Sequence, residues 1–497
     1  MTDSAQSGSQ SDPARSGPGG RSSRVFGGIE TNALNPIAEA ERKGRPRGLF
    51  WPWFGANVSV FGISYGSFVL GFGISAPQAI AVGIVGIVIS FALCGFVSLA
   101  GKRGSAPTMV LTRAAFGVRG GRIPAVLSWL LTVGWETALT SLAVLATSTV
   151  FTALGWHGGT ATKIVALIVV AALIFVSGVF GFTLIMRLQV VITVITGALT
   201  IVYAILVLNQ VNLATVGSLP AGTTPQVIGA LVFMMTGFGL GWVNLAADYS
   251  RYLPRSSSGP AVVGWTTFGA ALAPVLLLIF GVLLAGSSAD LSTGIGSDPI
   301  GALTTVLPAW FLIPFVVVAV LGLVGGAVLD IYSSGLALLS AGLRAPRWVA
   351  AGIDGCLMII GSIYIVFFAS DFLGPFQGFL ITLGVPVAAW CGIMVADIAL
   401  RRADYVEQDL YRTDGRYGDV RALPVILIVT GTLLGWGLVT NAAAPWLGWQ
   451  GYLLGPIGGR EGDWAGANLG VAVALVIGFV GYLIFARRTI ARQELPQ

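Results

Sequence analysis

The sequence predicts an all-α integral membrane protein of twelve transmembrane helices, built as a 5+5 inverted repeat plus two C-terminal helices. Three observations predict it. Of 497 residues, 55% are hydrophobic and 10% charged, and the mean hydropathy is +0.86. The apolar residues gather in runs of about 20, the length that crosses a bilayer. Two of those runs, the first and the sixth, carry clustered glycines, each costing roughly 1 kcal/mol in a helix relative to alanine. Helices broken at membrane depth at corresponding places in two halves of a chain are the plan of secondary transporters, whose sites form where the broken helices meet.

Hydropathy windows place the spans near 50–75, 77–101, 124–153, 163–184, 187–208, 227–247, 261–286, 309–340, 348–369, 372–398, 421–441 and 466–486. Residues 1–48 read as a disordered, Ser/Gly/Pro-rich N-terminal tail ending in Arg42, Lys43, Arg45 and Arg47, with no apolar core of a cleavable signal peptide. Basic residues follow the even-numbered spans: Lys102 and Arg103 the second, Arg187 the fourth, Arg251 and Arg255 the sixth, Arg344 and Arg347 the eighth, Arg401 and Arg402 the tenth, Arg487 and Arg488 the twelfth. Of the 27 basic residues only Lys163 and Arg460 fall on the other side. The positive-inside rule therefore puts both termini in the cytoplasm of a multi-pass plasma-membrane protein. The net charge of +6 is topology and not an affinity for nucleic acid.

Span one then runs outward and span six inward, so two five-span repeats have opposite orientation. The expected units are the tail at 1–48, a first repeat at 49–208, a second at 209–398, two appended spans at 399–487 and a cytoplasmic C-terminal tail at 488–497. The three cysteines, Cys94, Cys356 and Cys391, lie in apolar spans without ligand or disulfide spacing, and the one histidine, His157, is in a loop. No metal or cofactor is expected, and no nucleophile constellation suggests an enzyme. A channel would need a pore-lining ring of repeated polar residues, and none is present.

Span one concentrates Asn57, Ser59, Ser64, Tyr65 and Ser67 among Gly62, Gly66 and Gly71. Each polar residue alone fits helix packing in lipid; together, beside a break, they suggest a wet surface, with Ser64 and Gly66 facing it. Span six reads Gly237-Phe238-Gly239-Leu240-Gly241-Trp242 and closes on Asp248, Arg251 and Pro254. The glycines at 62, 66, 239 and 241 are the expected breaks. Asp248 and Arg251, at helical spacing for a local pair, belong to an inner gate or to structure. The segment 101–121, apolar in its middle and flanked by bases, reads as an interfacial or re-entrant helix.

Two carboxylates lie deep in apolar spans, Glu136 and Asp330, where each costs about 3 kcal/mol unless it meets water or a partner. Glu136 either stays protonated as structure or titrates during transport. Asp354 and Asp371 are nearer span ends, where snorkelling or capping is the plain reading, and Asp397 with Arg401 reads as a surface pair. Trp135 and Trp242 are deep and next to glycine, unlike the interfacial Trp51, Trp53, Trp348, Trp446 and Trp449. A flat face there could stack on an aromatic ligand, as aromatic side chains stack on bases.

The segment from Gly101 to Gly117, the Gly134-Trp135 pair, the Ala-Ala-Asp248-Tyr-Ser-Arg251-Tyr-Leu-Pro254 close of span six and Tyr332-Ser-Ser-Gly-Leu in span eight together resemble the purine-cytosine permeases of the nucleobase:cation symporter-1 family, over about residues 30–490. The resemblance implies a LeuT-type fold, alternating access and a nucleobase held between broken helices one and six and helices three and eight. It implies that Trp135 stacks on the base, with Phe238 or Trp242 and the backbone at Gly239 opposite. Where the family has an amide one turn after the tryptophan this chain has Leu139, and where fungal members have asparagines in span eight it has Gly326 and Asp330. A carboxylate at 330 could accept from an exocyclic amine and a ring N–H. The sodium ligands of this fold need hydroxyls in span eight, yet Val324 and Gly325 supply none. With Glu136 and Asp330 buried nearby, proton symport of purines or cytosine is expected; a thiamine-like or allantoin-like substrate, or sodium coupling, is the alternative. The expected partners are the small-molecule substrate and the bilayer, with no obligate protein.

Overall fold

The computed structural model describes residues 33–180, 182–369, 371–441 and 445–495, and the side chains of all but 180 and 182–184. Among these residues nine helices are long and apolar enough to cross a membrane: Ala76–Gly104, Arg122–Ala153, Thr160–Val179, Ile185–Gln210, Thr224–Ser250, Gly259–Ala285, Ala309–Ala341, Arg347–Phe367 and Leu373–Leu400. They are spans two to ten. Span one is a pair, Pro46–Asn57 and Phe61–Leu70, bent by 67°, and the last span is a pair, Leu469–Phe485 and Arg487–Gln493, bent by 61°. The eleventh apolar segment, Ala422–Trp436, has 15 residues. At 1.5 Å per residue it is about 22 Å long, short of a hydrocarbon core of about 30 Å. It stops because the chain turns back on it: Gly451 N–H bonds Trp436 O at 2.9 Å and Leu453 N–H bonds Gly437 O at 2.8 Å. The sequence count of twelve thus becomes nine full-length spans, eleven with the bent pairs, and one shorter helix.

The packing repeats when each span number is raised by five. Span one lies on span seven, and span six on span two; spans two and seven pack together, as do three and eight; span three meets nine, and span eight meets four. Span five touches one and eight, and span ten touches six and three. This is the signature of a 5+5 inverted repeat, with the last span packed outside it on span ten.

The breaks are placed differently in the two halves. In span six the helix Thr224–Gly237 ends at Phe238, whose φ of −119° and ψ of −108° are non-helical. The break falls inside the glycine cluster but one residue before Gly239; Gly239 and Gly241, the expected breaks, lie in the short helix Gly239–Trp242 that follows. In span one the break is at Val58–Val60, before the glycines, and the helix Phe61–Leu70 runs unbroken through Gly62 and Gly66. Those two glycines make room instead. A Cβ at Gly66 would lie 2.1 Å from the Gly281 carbonyl carbon, and one at Gly62 would lie 2.9 Å from Leu277.

The tail's described part, 33–48, is packed on the bundle. Ile37 and Arg42 are buried, and Arg42 donates to Leu253 O at 2.9 Å and Lys102 O at 2.5 Å. The segment after span two forms two short helices, Thr108–Leu111 and Arg113–Phe116, both buried. Asp371 caps the following helix through Gly374 N–H at 2.8 Å, as expected. Asp397 and Arg401 do pair, at 2.6 Å, but not at the surface. Both are buried, and Tyr482 and Gln493 complete their hydrogen bonds. The last span and its terminal helix, absent from a one-helix view of the spacing, cover them.

Removing one member of a buried ion pair leaves the other uncompensated, at about 3–5 kcal/mol. Asp397→Ala should therefore lower the melting temperature in detergent by many degrees. Asp414→Ala, which opens the exposed pair with Arg412, should leave it unchanged. A thermal-shift series on the two variants checks this.

Candidate functional site

The two breaks face each other across a cavity of about 40 Å³. Span one contributes Ala56, Asn57, Ser59, Phe61, Gly62 and Tyr65, span three Trp135 and Leu139, span six Gly237, Phe238 and Trp242, and span eight Gly322. Its walls are aromatic. Tyr65 lies against Phe238, with ring centroids 4.4 Å apart, and is held by its hydroxyl donating to Gly237 O at 3.2 Å. Trp242 meets Trp53 edge to face at 6.1 Å. The Trp135 ring is braced from span ten by Phe376 and Phe379, at 5.3 and 6.3 Å, and its Nε1–H has no hydrogen-bond partner. Gly241 lets the indole in, since a Cβ there would stand 2.9 Å from that nitrogen.

The structure brings three of the expected contact residues together, Trp135, Phe238 and Trp242. Ser64, Gly66 and Gly239 do not line the cavity. Ser64 donates to Pro299 O at 2.5 Å in the loop before span eight, and Gly66 packs on span seven. Gly239 packs on span two, its N–H bonded to Ser90 Oγ and its O taken by Cys94 Sγ, both at 3.0 Å. Asp330 is not in the lining either. It lies eight residues past Gly322, about 12 Å along the helix, below a layer where Leu139 closes on Gly326 and Trp242 stands 4.0 Å from a Cβ there. It is 1% exposed, and neither oxygen has a hydrogen-bond partner. Glu136 follows Trp135 but is fully buried and turned to spans eight and nine.

At the tail end of span six, Asp248 accepts from the Thr108 N–H at 2.7 Å and its hydroxyl at 2.8 Å, which ties span six to the re-entrant segment. Arg251, also buried, donates to Tyr332 Oη at 2.7 Å and Ala33 O at 3.1 Å. The two residues expected at an inner gate thus join span six, span eight, the re-entrant segment and the tail.

Residues missed in the sequence are Phe376 and Phe379. The i, i+3 spacing of aromatics in span ten was their signal, but it also describes ordinary core. Gly322 and Phe61 gave none. Among the described residues no group of three or more His, Cys, Asp or Glu could hold a metal ion.

Residues 36–455 match the family model described as "Permease for cytosine/purines, uracil, thiamine, allantoin". The chain belongs to this family. It is a multi-pass membrane transporter of the nucleobase:cation symporter-1 type, not an enzyme. YxlA of Bacillus subtilis, which carries the name of a purine-cytosine permease, is 24% identical over 464 residues, 91% of this chain and 95% of that one. The purine-cytosine permease FCY2 of Saccharomyces cerevisiae is 23% identical over 471 residues, 88% and 84% of the two. Among solved structures, Mhp1, a nucleobase-cation-symport-1 family transporter in a closed conformation with bromovinylhydantoin bound, superposes with a TM-score of 0.68 at 20% identity, covering 94% of this chain and 99% of that one. That likeness establishes the LeuT-type fold.

Gly241→Val should displace the Trp135 indole and weaken ligand binding about tenfold or more, because a misplacement of about 1 Å is worth that much. Quenching of tryptophan fluorescence by a titrated panel of cytosine, adenine and uracil, wild type against variant, measures it.

Proposed function

We propose that this transporter imports purine bases or cytosine across the plasma membrane by proton symport with alternating access, both termini being cytoplasmic. The observation that carries the reading is the cavity: flat aromatic faces from two broken spans and from span three, with a free indole N–H at its edge. At about 40 Å³ the cavity is closed too far to hold a base, but once its walls part these faces suit a planar heterocycle held by stacking and a few edge hydrogen bonds. Trp135 is one stacking face, Phe238 and Trp242 the other. Asp330 sits one layer below and would meet the base edge once Leu139 withdraws from Gly326.

Proton coupling is supported by chemistry. Glu136 and Asp330 are buried carboxyl groups without hydrogen-bond partners, the kind of group that marks proton relays in membranes. In span eight Val324 and Gly325 offer a cation no side-chain oxygen, and the Gly325 carbonyl is already bonded by Gln189 Nε2 at 2.6 Å. The partners proposed are the base, the proton and the bilayer. The cytoplasmic placement of both termini rests on the basic residues at the tail face.

Proteoliposomes given labelled cytosine, adenine, hypoxanthine, uracil and thiamine, with proton and sodium gradients imposed in turn, test the reading. Accumulation of a purine or cytosine under a proton gradient alone is expected; accumulation driven by sodium alone defeats the coupling, and uptake of thiamine alone defeats the substrate. Loss of one stacking face is worth about 1–3 kcal/mol, so Trp135→Ala should raise KM roughly 5- to 150-fold. An unchanged KM would remove Trp135 from the site.

A further inference from the structure

A third carboxyl group joins the two already named. Asp354, expected near a span end, lies two turns inside span nine and is fully buried. Both of its oxygens are held: Trp129 Nε1–H donates to Oδ1 at 2.6 Å from span three, and Ser334 Oγ–H donates to Oδ2 at 2.9 Å from span eight. Glu136 stands next to Ser334, outside hydrogen-bond geometry, and within electrostatic reach of Asp354 and Asp330. Three carboxyl groups therefore share one interior region formed by spans three, eight and nine. None of the three lines the cavity, although spans three and eight contribute Trp135, Leu139 and Gly322 to it.

The chemistry of the region selects its ligand. Among the described residues none of the three carboxyl groups forms an ion pair. The closest base on span nine, Arg347, donates to Gly178 O and Val179 O at 2.7 and 2.8 Å and covers the Tyr332 ring at 5.3 Å. Asp354 meets the Trp129 indole of span three and Ser334 of span eight, and Glu136 lies near Asp354, Ser334 and Asp330. Span four packs on span nine through Phe175, and its one charged residue, Lys163, is at the far end. Span six reaches the region only at its edge, where Tyr249 Oη–H donates to Leu329 O at 3.0 Å and Arg251 to Tyr332. The carboxylates are too far apart to hold a metal ion together. Carboxylates buried without cations cost several kcal/mol each, and a proton removes that cost.

We propose that Asp354 is a proton-carrying residue of the symport reaction, wired to Glu136 through the Ser334 hydroxyl. In the transfer, the O–H bond of protonated Glu136 breaks as its proton passes to Ser334 Oγ. Ser334 at the same time gives its own hydroxyl proton to Asp354 Oδ2, so one charge moves from span three to span nine and the serine is restored. The step requires Glu136 to come into hydrogen-bond contact with Ser334, a contact it does not make here. The proposal rests on the proton-symport reading and adds to it the acceptor and the relay.

The test uses the full chain in proteoliposomes with labelled cytosine or adenine, whichever the wild type transports, and a trapped pH dye. Asp354→Asn keeps an acceptor for Trp129 and removes the titratable group. It should lose proton-driven accumulation and the accompanying acidification about tenfold or more, a typical size for a coupling between two sites. Base exchange without a gradient should change far less. Ser334→Ala, which keeps every carboxyl, should slow accumulation and spare exchange in the same way. Wild-type accumulation and pH dependence in Asp354→Asn overturn the proposal, as does an equal loss of accumulation and exchange in both variants, which marks a structural role. Wild-type transport driven by sodium alone overturns the symport reading itself, and the two failures are told apart by the wild-type arm.

Discussion

Everything about this fold turns on backbone groups that a broken helix leaves open in an apolar interior. In lipid such groups have no water to bond, so a break is stable only where protein supplies partners. Span two supplies them for span six: Ser90 Oγ takes the Gly239 N–H and Cys94 Sγ reaches the Gly239 carbonyl. Span one adds the Tyr65 hydroxyl on Gly237 O. This is possible because Gly239 has no side chain; a Cβ there would lie 2.1 Å from the Ser90 carbonyl carbon. The same close approach recurs between span one and span seven, where Gly66 meets Gly281. Each broken span is thus carried by one helix of the other repeat, and the cavity lies where the two breaks face each other.

The interior is divided by chemistry into layers. The cavity is aromatic, and its polar groups are few: a free indole nitrogen, a serine, an asparagine amide bonded to Trp53 O at 2.8 Å. Leu139 against Gly326 closes its floor. The carboxyl groups Glu136, Asp330 and Asp354 lie off the cavity, on spans three, eight and nine. On the proposed reading, a neutral flat ligand and a proton would use different surfaces of span three, Trp135 on one and Glu136 on the other, one residue apart. Movement of the broken spans against spans three and eight would act on both at once.

The tail face is held by buried arginines acting through carbonyls and hydroxyls as much as through carboxylates. Arg42 ties the tail segment to the ends of spans two and six, Arg251 ties span six to Tyr332 and Ala33, and Arg401 closes the end of span ten on Asp397, Ala114 O and Gln493. The hydrogen bonds to carbonyls and hydroxyls among them are individually modest, whereas the buried Arg401–Asp397 pair is costly to break.

The membrane class, the inverted repeat and the region of the span-six break were legible in the sequence, because lipid forces apolar runs of fixed length and three glycines within five residues weaken a helix. So were Trp135, Phe238 and Trp242, large flat residues where a helix would otherwise be smooth. The break in span one was not legible at Val58–Val60, since nothing in Val-Ser-Val announces it and the glycines beyond it serve helix contact. Nor was the fate of charged residues at span ends. Asp354 and the Asp397–Arg401 pair have ordinary surface spacing, and only Trp129, Ser334 and the last span, arriving from distant parts of the chain, make them interior. Local sequence determines which segments enter the bilayer and where they can bend; which faces then meet, and so whether a carboxyl is solvated or enclosed, is decided by packing between residues from 20 to 225 positions apart.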